Sequence, residues 1–583
     1  MKILLGLFLP LGLLAAENGN DTKKYWLDHP GARLSSPKSH GFSVKSVLKQ
    51  QKANRFKVER TRPKLRADLT RHPGSSTPGT ANRESVELEV LEESGVSRSA
   101  QVTFGLPLPQ GAVFSPEKIR ITDVAGTEIP SQFSISALWP DGSVKWALGS
   151  FYAGLKANES KKFRAEFGNS ITRNNAGHGI TLNETADFID IDAGKVKARI
   201  GKKRFRMLQN LSAGGKKVGT FGALQLTRAD GFVFNGSKFP PDSVRVIEKG
   251  PRRVTIQVEG RFATTRITAA KYCIRFTFDY GQSSVRMEYK HVSAEMRWEF
   301  TDWKSLNIPF TVPGENAVFT VTDDSGRPIE AAGRVMQADD RNIITDTGVP
   351  RPGRISGAVA VQTGKNRLAV ALADGWKRYP KAFSFSGNTL TLELLPVQPH
   401  DLFNRDLPFY LVFPFCGGNY RMKWGMGFSE TLVFDFSGNI AAAEAEASLP
   451  VVALLPPAWY DKTGVFPGCF TSLGGQLDKF LKPAVDGRLR QVEEQREYGF
   501  FNYGDSFGER KVNWVNNEYD MAHGMFLYGL RTQRRDVLRY ARAAARHQAD
   551  VDICQAYPDE YYLGANLTHS CGHTGAQGRW SRL

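Results

Sequence analysis

The chain has 583 residues, 41% hydrophobic and 11% aromatic, which is material for several domains and rules out a disordered or collagen-like protein. Its net charge of +18 is uneven: residues 17–84 hold 15 Lys and Arg against six Asp and Glu, half of the total. The excess is therefore a local arm and no general signature of nucleic-acid binding, and cations that lack helical or aromatic interleaving make nucleic acid a poor partner.

Residues 1–16 carry Lys2, the apolar run Ile3–Leu14 and then Ala15 and Ala16. This reads as a signal peptide, too short to span a bilayer, and predicts export to a periplasmic or extracellular location. No later apolar run approaches eighteen residues, so no transmembrane segment is expected. Residues 17–84, rich in Lys, Arg, Ser and Pro, read as a disordered basic arm that could rest on anionic surfaces. The five cysteines, Cys273, Cys416, Cys469, Cys554 and Cys571, are scattered and odd in number, against both a disulfide framework and a structural zinc site.

From Ser85 the texture becomes short alternating runs such as SVELEVLE, expected to be antiparallel strands. In ALWPDGSVKWAL (137–148), Pro140-Asp141-Gly142 supplies a turn and Trp139 and Trp146 flank it, which predicts a structural hairpin. Longer strands follow between residues 169 and 455, as in KYCIRFTFDY and SVRMEYKHV, at a spacing suited to a large β-sandwich. Cations within or beside such strands, Arg245, Arg252 and Arg253 among them, read as solvated outer faces.

After Pro456-Pro457 the pattern turns helical. Leu473–Glu497 has helical composition interrupted by Pro483 and Gly487, and Glu518–Leu530 and Val537–Val551 form a predicted antiparallel hairpin across the short RTQRRD link. Repeated hairpins of this kind make an α/α toroid. Between them lies Tyr503–Asp520, YGDSFGERKVNWVNNEYD, a loop crowded with carboxylates, amides and rings that reads as the floor of a carbohydrate site or, more plainly, as a capped helix start with solvated charges. His523, His547, His569 and His573 place four of ten histidines in the last 61 residues.

LPLPQG followed by ALWPDGSVKWAL, the closing strand GFSETLVFDF, the segment YGDSFGERKVNWVNNEYDMAHGMFLYGLRT and HSCGHTG together resemble the exo-rhamnogalacturonan lyase-like family over roughly residues 85–583. The resemblance implies a multidomain, mainly β fold: a RIFT-type β-barrel (85–168), a large antiparallel β-sandwich (169–455) and an α/α toroid that bears the active site (456–583). Two features depart from it. Cys571 stands where the family tends to have His, and the chain reaches Leu583 with about three helices, so a six-hairpin toroid would be incomplete: a fragment, a truncated product, or a ring that a partner completes.

The resemblance implies an acidic plant-type polysaccharide as partner and β-elimination as chemistry. That reaction needs a cation on the uronate carboxylate, a base for the α-proton and an acid for the leaving oxygen. His523 is the candidate base, with Tyr503 or Tyr519 as acid and Arg510 as the cation; His573 is a further acid–base candidate. Asn516, Asn517 and His569 are candidate sugar ligands beside Asp505, Glu509, Glu518 and Asp520, and those four carboxylates could instead hold a calcium ion. Two alternatives stay open: a glycoside hydrolase using pairs of the same carboxylates, and a non-catalytic glycan-binding or incomplete protein.

Overall fold

The computed structural model describes residues 75–174, 179–399, 407–408, 411–466, 474–507, 520–567 and 580–581. The expected signal peptide, and the basic arm as far as residue 74, lie outside the described residues. Among those described, no helix is long and apolar enough to cross a membrane.

The first domain grows from the alternation read in the sequence. In β1 (Glu84–Leu91) Val86, Leu88 and Val90 point inward while the intervening glutamates stay exposed. It joins β2 (Arg98–Pro107), β3 (Ile119–Asp123), β4 (Glu128–Ile129), β5 (Ser131–Leu138), β6 (Val144–Leu155) and β7 (Ser160–Phe167) in one eight-stranded sheet. The eighth strand, Val451–Leu454, comes from far along the chain: it inserts between β1 and β2, antiparallel to the first and parallel to the second. The chain thus leaves this domain, builds the sandwich, and returns to close it.

The β5–β6 hairpin forms as the sequence predicts. Asp141 accepts hydrogen bonds from the Ser143 backbone N–H (3.0 Å) and hydroxyl (2.6 Å), and Gly142 takes the left-handed φ of +84° that this turn needs. Trp139 donates its indole N–H to Leu108 O at 2.9 Å, with Lys145 over its ring at 4.5 Å. Asp141 is committed to its own turn.

A five-stranded meander (181–217) leads into an eleven-stranded and a nine-stranded sheet that share one core. Phe221, Phe310 and Phe434 meet across it with ring centroids 4.7–6.1 Å apart. The nine-stranded sheet positions the site. Its strands Arg253–Ala263, Thr268–Asp279, Ser284–Ser293 and Gly427–Asp435 are adjacent and antiparallel, and their inward residues, Ile256, Ile274, Phe276, Met287, Tyr289, Phe428 and Leu432, are buried. The alternate residues point the other way. In register they pair Thr255 with Thr277, Gln257 with Arg275, Arg275 with Glu288, Thr277 with Arg286, Glu288 with Thr431 and Lys290 with Ser429, so the outer face carries a continuous polar surface.

Helix α1 (Ile440–Ser448), capped by the Asn439 side chain on Ala442 N at 3.0 Å, covers the small-residue end of that face through Ala443 and Ala447 on Ala358, Ala369, Ala371 and Ala373. A short helix, α2 (Pro457–Thr463), docks on the first domain, where the Trp459 indole N–H bonds Pro107 O at 2.9 Å. Neither helix is foreseen in the sequence: α1 is alanine-rich with no apolar stripe, and α2 is shorter than two turns.

Three longer helices follow. α3 (Gly474–Glu494) runs through Pro483, where the sequence suggested an interruption; the proline lies on the exposed face, so the carbonyl it deprives of a partner is open to water. α4 (Met521–Thr532) and α5 (Arg535–His547) form the predicted antiparallel hairpin, joined by Gln533 and Arg534. Val537, Ala541, Ala544 and Val551 are all buried, as their spacing requires.

Candidate functional site

A cleft of about 1390 Å³ opens where the three parts of the molecule meet. Its floor is the outer face of the nine-stranded sheet, with Thr255, Cys273, Arg275, Thr277, Arg286, Glu288, Lys290, Ser429 and Thr431 exposed to it. β2 forms one wall and α1 another, with Glu444 and Glu446 pointing in. The far side consists of the 374–377 segment, α3 and the face of α5 that bears Arg539, Arg542 and Arg546.

Cations and carboxyls line this space in near-equal numbers, so arrangement matters more than net charge. At the α5 end the Arg546 guanidinium bonds the Asp374 carboxylate at 3.0 Å, and Asp374 sits in the left-handed region at φ +57°. Burial would raise the Asp374 pKa, but Arg546 and its cationic neighbours bring it below the usual value. Glu430, beneath the floor, accepts from Arg378 (3.1 Å) and lies 3.2 Å from Lys381. Burial outweighs that neighbour at Lys381 and pushes its ammonium down to about 8. Lys290 lies 3.4 Å from Asp550, whose carboxylate also accepts from the Ser429 hydroxyl at 2.7 Å.

At the other end carboxyls stand among Arg98 and Arg253. Burial pushes Glu444 up to about 7 and raises Glu446 and Glu248, the last against the charge of Arg253 and hydrogen bonds from Thr255 (3.0 Å) and Gln132 (3.1 Å). Cys273, on the floor, is likewise pushed up to about 11 by burial and stays a thiol near neutral pH.

Of the site residues read from the sequence that the structure describes, Tyr503, Asp505, Asp520 and His523, only Tyr503 lines the cleft. Its ring lies 5.6 Å from that of Tyr498, and burial, reinforced by Asp374, raises its hydroxyl pKa so that the proton is retained. Asp505, two residues on, is 0% exposed and is no ligand on an open floor. Its carboxylate lies 3.3 Å from Nε2 of His547, which is itself 3.7 Å from Asp552. Burial alone would lower the His547 pKa, but Asp505 and Asp552 outweigh it and raise it to about 9. Beside this cluster Arg488 pairs with Glu497, donates to Tyr540 Oη at 2.7 Å and to Asp505 O at 2.9 Å, and so ties the loop to α3 and α5. Gly504 (φ +106°) permits the approach, since a Cβ there would lie 2.2 Å from Ala543 O. The opening of the Tyr503–Asp520 loop is therefore a buried structural joint.

His523 and Asp520 pair with each other at 3.2 Å, Nδ1 to Oδ2, on a surface where the histidine side chain is 57% exposed, and neither lines the cleft. Glu509, Arg510, Asn516, Asn517, Glu518, Tyr519, His569 and His573 lie outside the described residues. Of the four carboxylates considered for calcium, Asp505 faces His547 and Asp520 faces His523, so these two do not share an ion. Among the described residues no group of three or more His, Cys, Asp or Glu is arranged to hold a metal.

The sequence reading passed over Arg275, Arg286, Glu288 and Lys290, because alternating polar residues look the same on a solvated face and on a cleft floor. The arginines at 539, 542 and 546 gave a signal that was available: three- and four-residue steps place them on one face of a helix, away from its alanines.

Comparison with known proteins bears on this architecture. Residues 84–166 match the PcRGLX-like N-terminal RIFT barrel domain, and residues 180–319 match the central beta sandwich domain of PcRGLX-like proteins. These two segments are therefore similar to the barrel and sandwich domains of PcRGLX-like proteins. A curated relative, the uncharacterized protein YetA of Bacillus subtilis (strain 168), is 19% identical over 581 residues, an alignment that covers 83% of this chain and 67% of YetA. Among solved structures, an alpha-mannosidase from Enterococcus faecalis V583 overlaps 64% of the chain at 10% identity and a TM-score of 0.35. A galactose mutarotase related enzyme from Lactobacillus acidophilus overlaps 44% at 12% identity and a TM-score of 0.25. The chain spans 46% of the mannosidase and 97% of the mutarotase-related enzyme, and overlaps this loose establish no shared site.

Proposed function

We propose that this lyase-like chain is an exported carbohydrate-active protein that binds a uronic-acid-bearing polysaccharide of the rhamnogalacturonan type in the cleft between sandwich and helices, and cleaves it by β-elimination. The observation that carries the reading is the cleft itself: a polar sheet face of a PcRGLX-like sandwich, roofed by an arginine-bearing helix, with proton-holding groups at hand. The leader-like residues 1–16 support export.

Elimination makes three demands on such a cleft. The substrate carboxylate needs cations so that negative charge can build on it as the α-proton leaves; Arg286 and the α5 arginines stand where they can supply them. A proton acceptor must work near neutral pH, and Glu444, held up to about 7, meets that condition. The departing glycosidic oxygen needs a donor that keeps its proton until then, as Tyr503 does.

Incubation with rhamnogalacturonan oligosaccharides tests this. A rise in ultraviolet absorbance from an unsaturated uronate is the expected result. Reducing ends released without that absorbance would replace elimination with hydrolysis, the second reading, which the raised carboxyls Glu248, Glu444 and Glu446 favour. If the oligosaccharide is bound and left uncut, the protein is a glycan-binding module.

A further inference from the structure

We propose that Arg542, on the cleft face of α5, is the residue that recognises the carboxylate of the bound sugar chain, with Arg286 on the sheet floor as its second cation. This assignment rests on the reading of the cleft as an acidic-carbohydrate site and adds to it the residue that sets the preference for charge.

The argument starts from how the neighbouring cations are occupied. Arg546 holds Asp374 at 3.0 Å. Lys290 is 3.4 Å from Asp550. Arg275 donates to Gln257 at 2.9 Å and lies 3.9 Å from Glu288. Arg286 donates to the Glu446 backbone carbonyl at 2.9 Å, and the Glu446 carboxyl stands farther off at 3.8 Å. Among the described residues Arg542 makes no hydrogen bond and no ion pair, although it lines the cleft and keeps exposed surface there.

Its surroundings explain why a ligand is needed. The charges that act on Arg542 are Asp374, Arg546, Arg286 and Glu288, and both anions already have a cation of their own. Its surroundings lower the pKa of this guanidinium: burial is the largest influence, Asp374 and Glu288 act against it, and Arg546 and Arg286 act with it. An exposed guanidinium with no hydrogen-bonded partner among the described residues, beside the like charges of Arg546 and Arg286, leaves like-charge repulsion at that end of the cleft. A planar carboxylate would relieve it, because the guanidinium fork presents two parallel N–H donors to the two oxygens and Arg286 adds charge from the floor. A neutral sugar ring offers hydroxyls only and relieves much less.

The test is calorimetric titration of the full chain with galacturonate-containing rhamnogalacturonan oligosaccharides and with the same oligosaccharides after carboxyl reduction. The unsubstituted protein should prefer the acidic form. Arg542→Gln should weaken that form about tenfold, as expected for loss of one charge-assisted bidentate contact, and leave the reduced form unchanged, with thermal unfolding unmoved because no internal partner is lost. Arg542→Lys should retain part of the preference. If the unsubstituted protein binds both forms alike, the acidic-substrate reading falls and the role of Arg542 with it. If it prefers the acidic form and Arg542→Gln does so equally, or if that substitution weakens both forms together, the assignment to Arg542 is wrong while the acidic-substrate reading stands.

Discussion

Two charge-rich regions sit within a few turns of chain of each other, and they do opposite things. Around Asp505, His547 and Asp552 the charges are sealed from water and matched to one another, with Arg488, Glu497 and Tyr540 knotting the same joint. On the cleft face of α5 the charges line the open cleft, and one of them, Arg542, has no hydrogen bond and no ion pair among the described residues. The residue types are alike. Burial and pairing separate a group that holds the fold from one that is free to meet a ligand.

The largest effect should come from breaking the sealed region. Asp505→Ala removes one of the two carboxylates that hold the His547 charge, and the loss in unfolding free energy measured in urea should be on the order of 3 kcal/mol. A loss below about 0.5 kcal/mol would mean that this cluster is no different in kind from the cleft.

The same cluster sets a pH dependence. His547 is raised from 6.5 to about 9 in the folded protein, so its protonated form stabilises the fold fully below pH 6.5, and that contribution is lost as pH climbs through 9. The loss should approach about 3 kcal/mol across that window. Urea unfolding at a series of pH values should show the decline, and His547→Gln should flatten it; a profile equally steep in the variant would place the titrating group elsewhere.

The smallest effect separates the exposed pair from both regions. His523→Ala should leave stability within about 0.5 kcal/mol and should leave turnover largely intact, because the side chain lies outside the cleft and among the described residues pairs with Asp520 on an exposed surface. Loss of turnover with unchanged stability would restore His523 as the base and move the chemistry out of the cleft.

These contrasts bear on what a sequence can disclose. The barrel strands, the sandwich, the Trp139–Trp146 hairpin and the α4–α5 pair were legible because each rests on local pattern: alternation, turn residues, or three- and four-residue steps. The strand at 451–454 was not, since its partners β1 and β2 lie some 350 residues upstream and nothing local marks that pairing. The site was harder still. Composition drew attention to Tyr503–Asp520, and composition cannot tell a buried carboxylate from an open one. Tyr503 reached the cleft while Asp505, two positions on, turned into the joint. The cleft floor is assembled from alternate residues of four strands, and the strand signal says which residues share a face without saying what stands above it.

The most direct test sets the cleft against the exposed pair in one assay. With rhamnogalacturonan oligosaccharides as substrate, the absorbance of the unsaturated product should rise with the unsubstituted protein, persist in His523→Ala and fall at least about tenfold in Arg286→Gln, the expected cost of removing a charge-assisted contact to the developing anion. Turnover that survives Arg286→Gln and vanishes in His523→Ala would contradict the account at its centre.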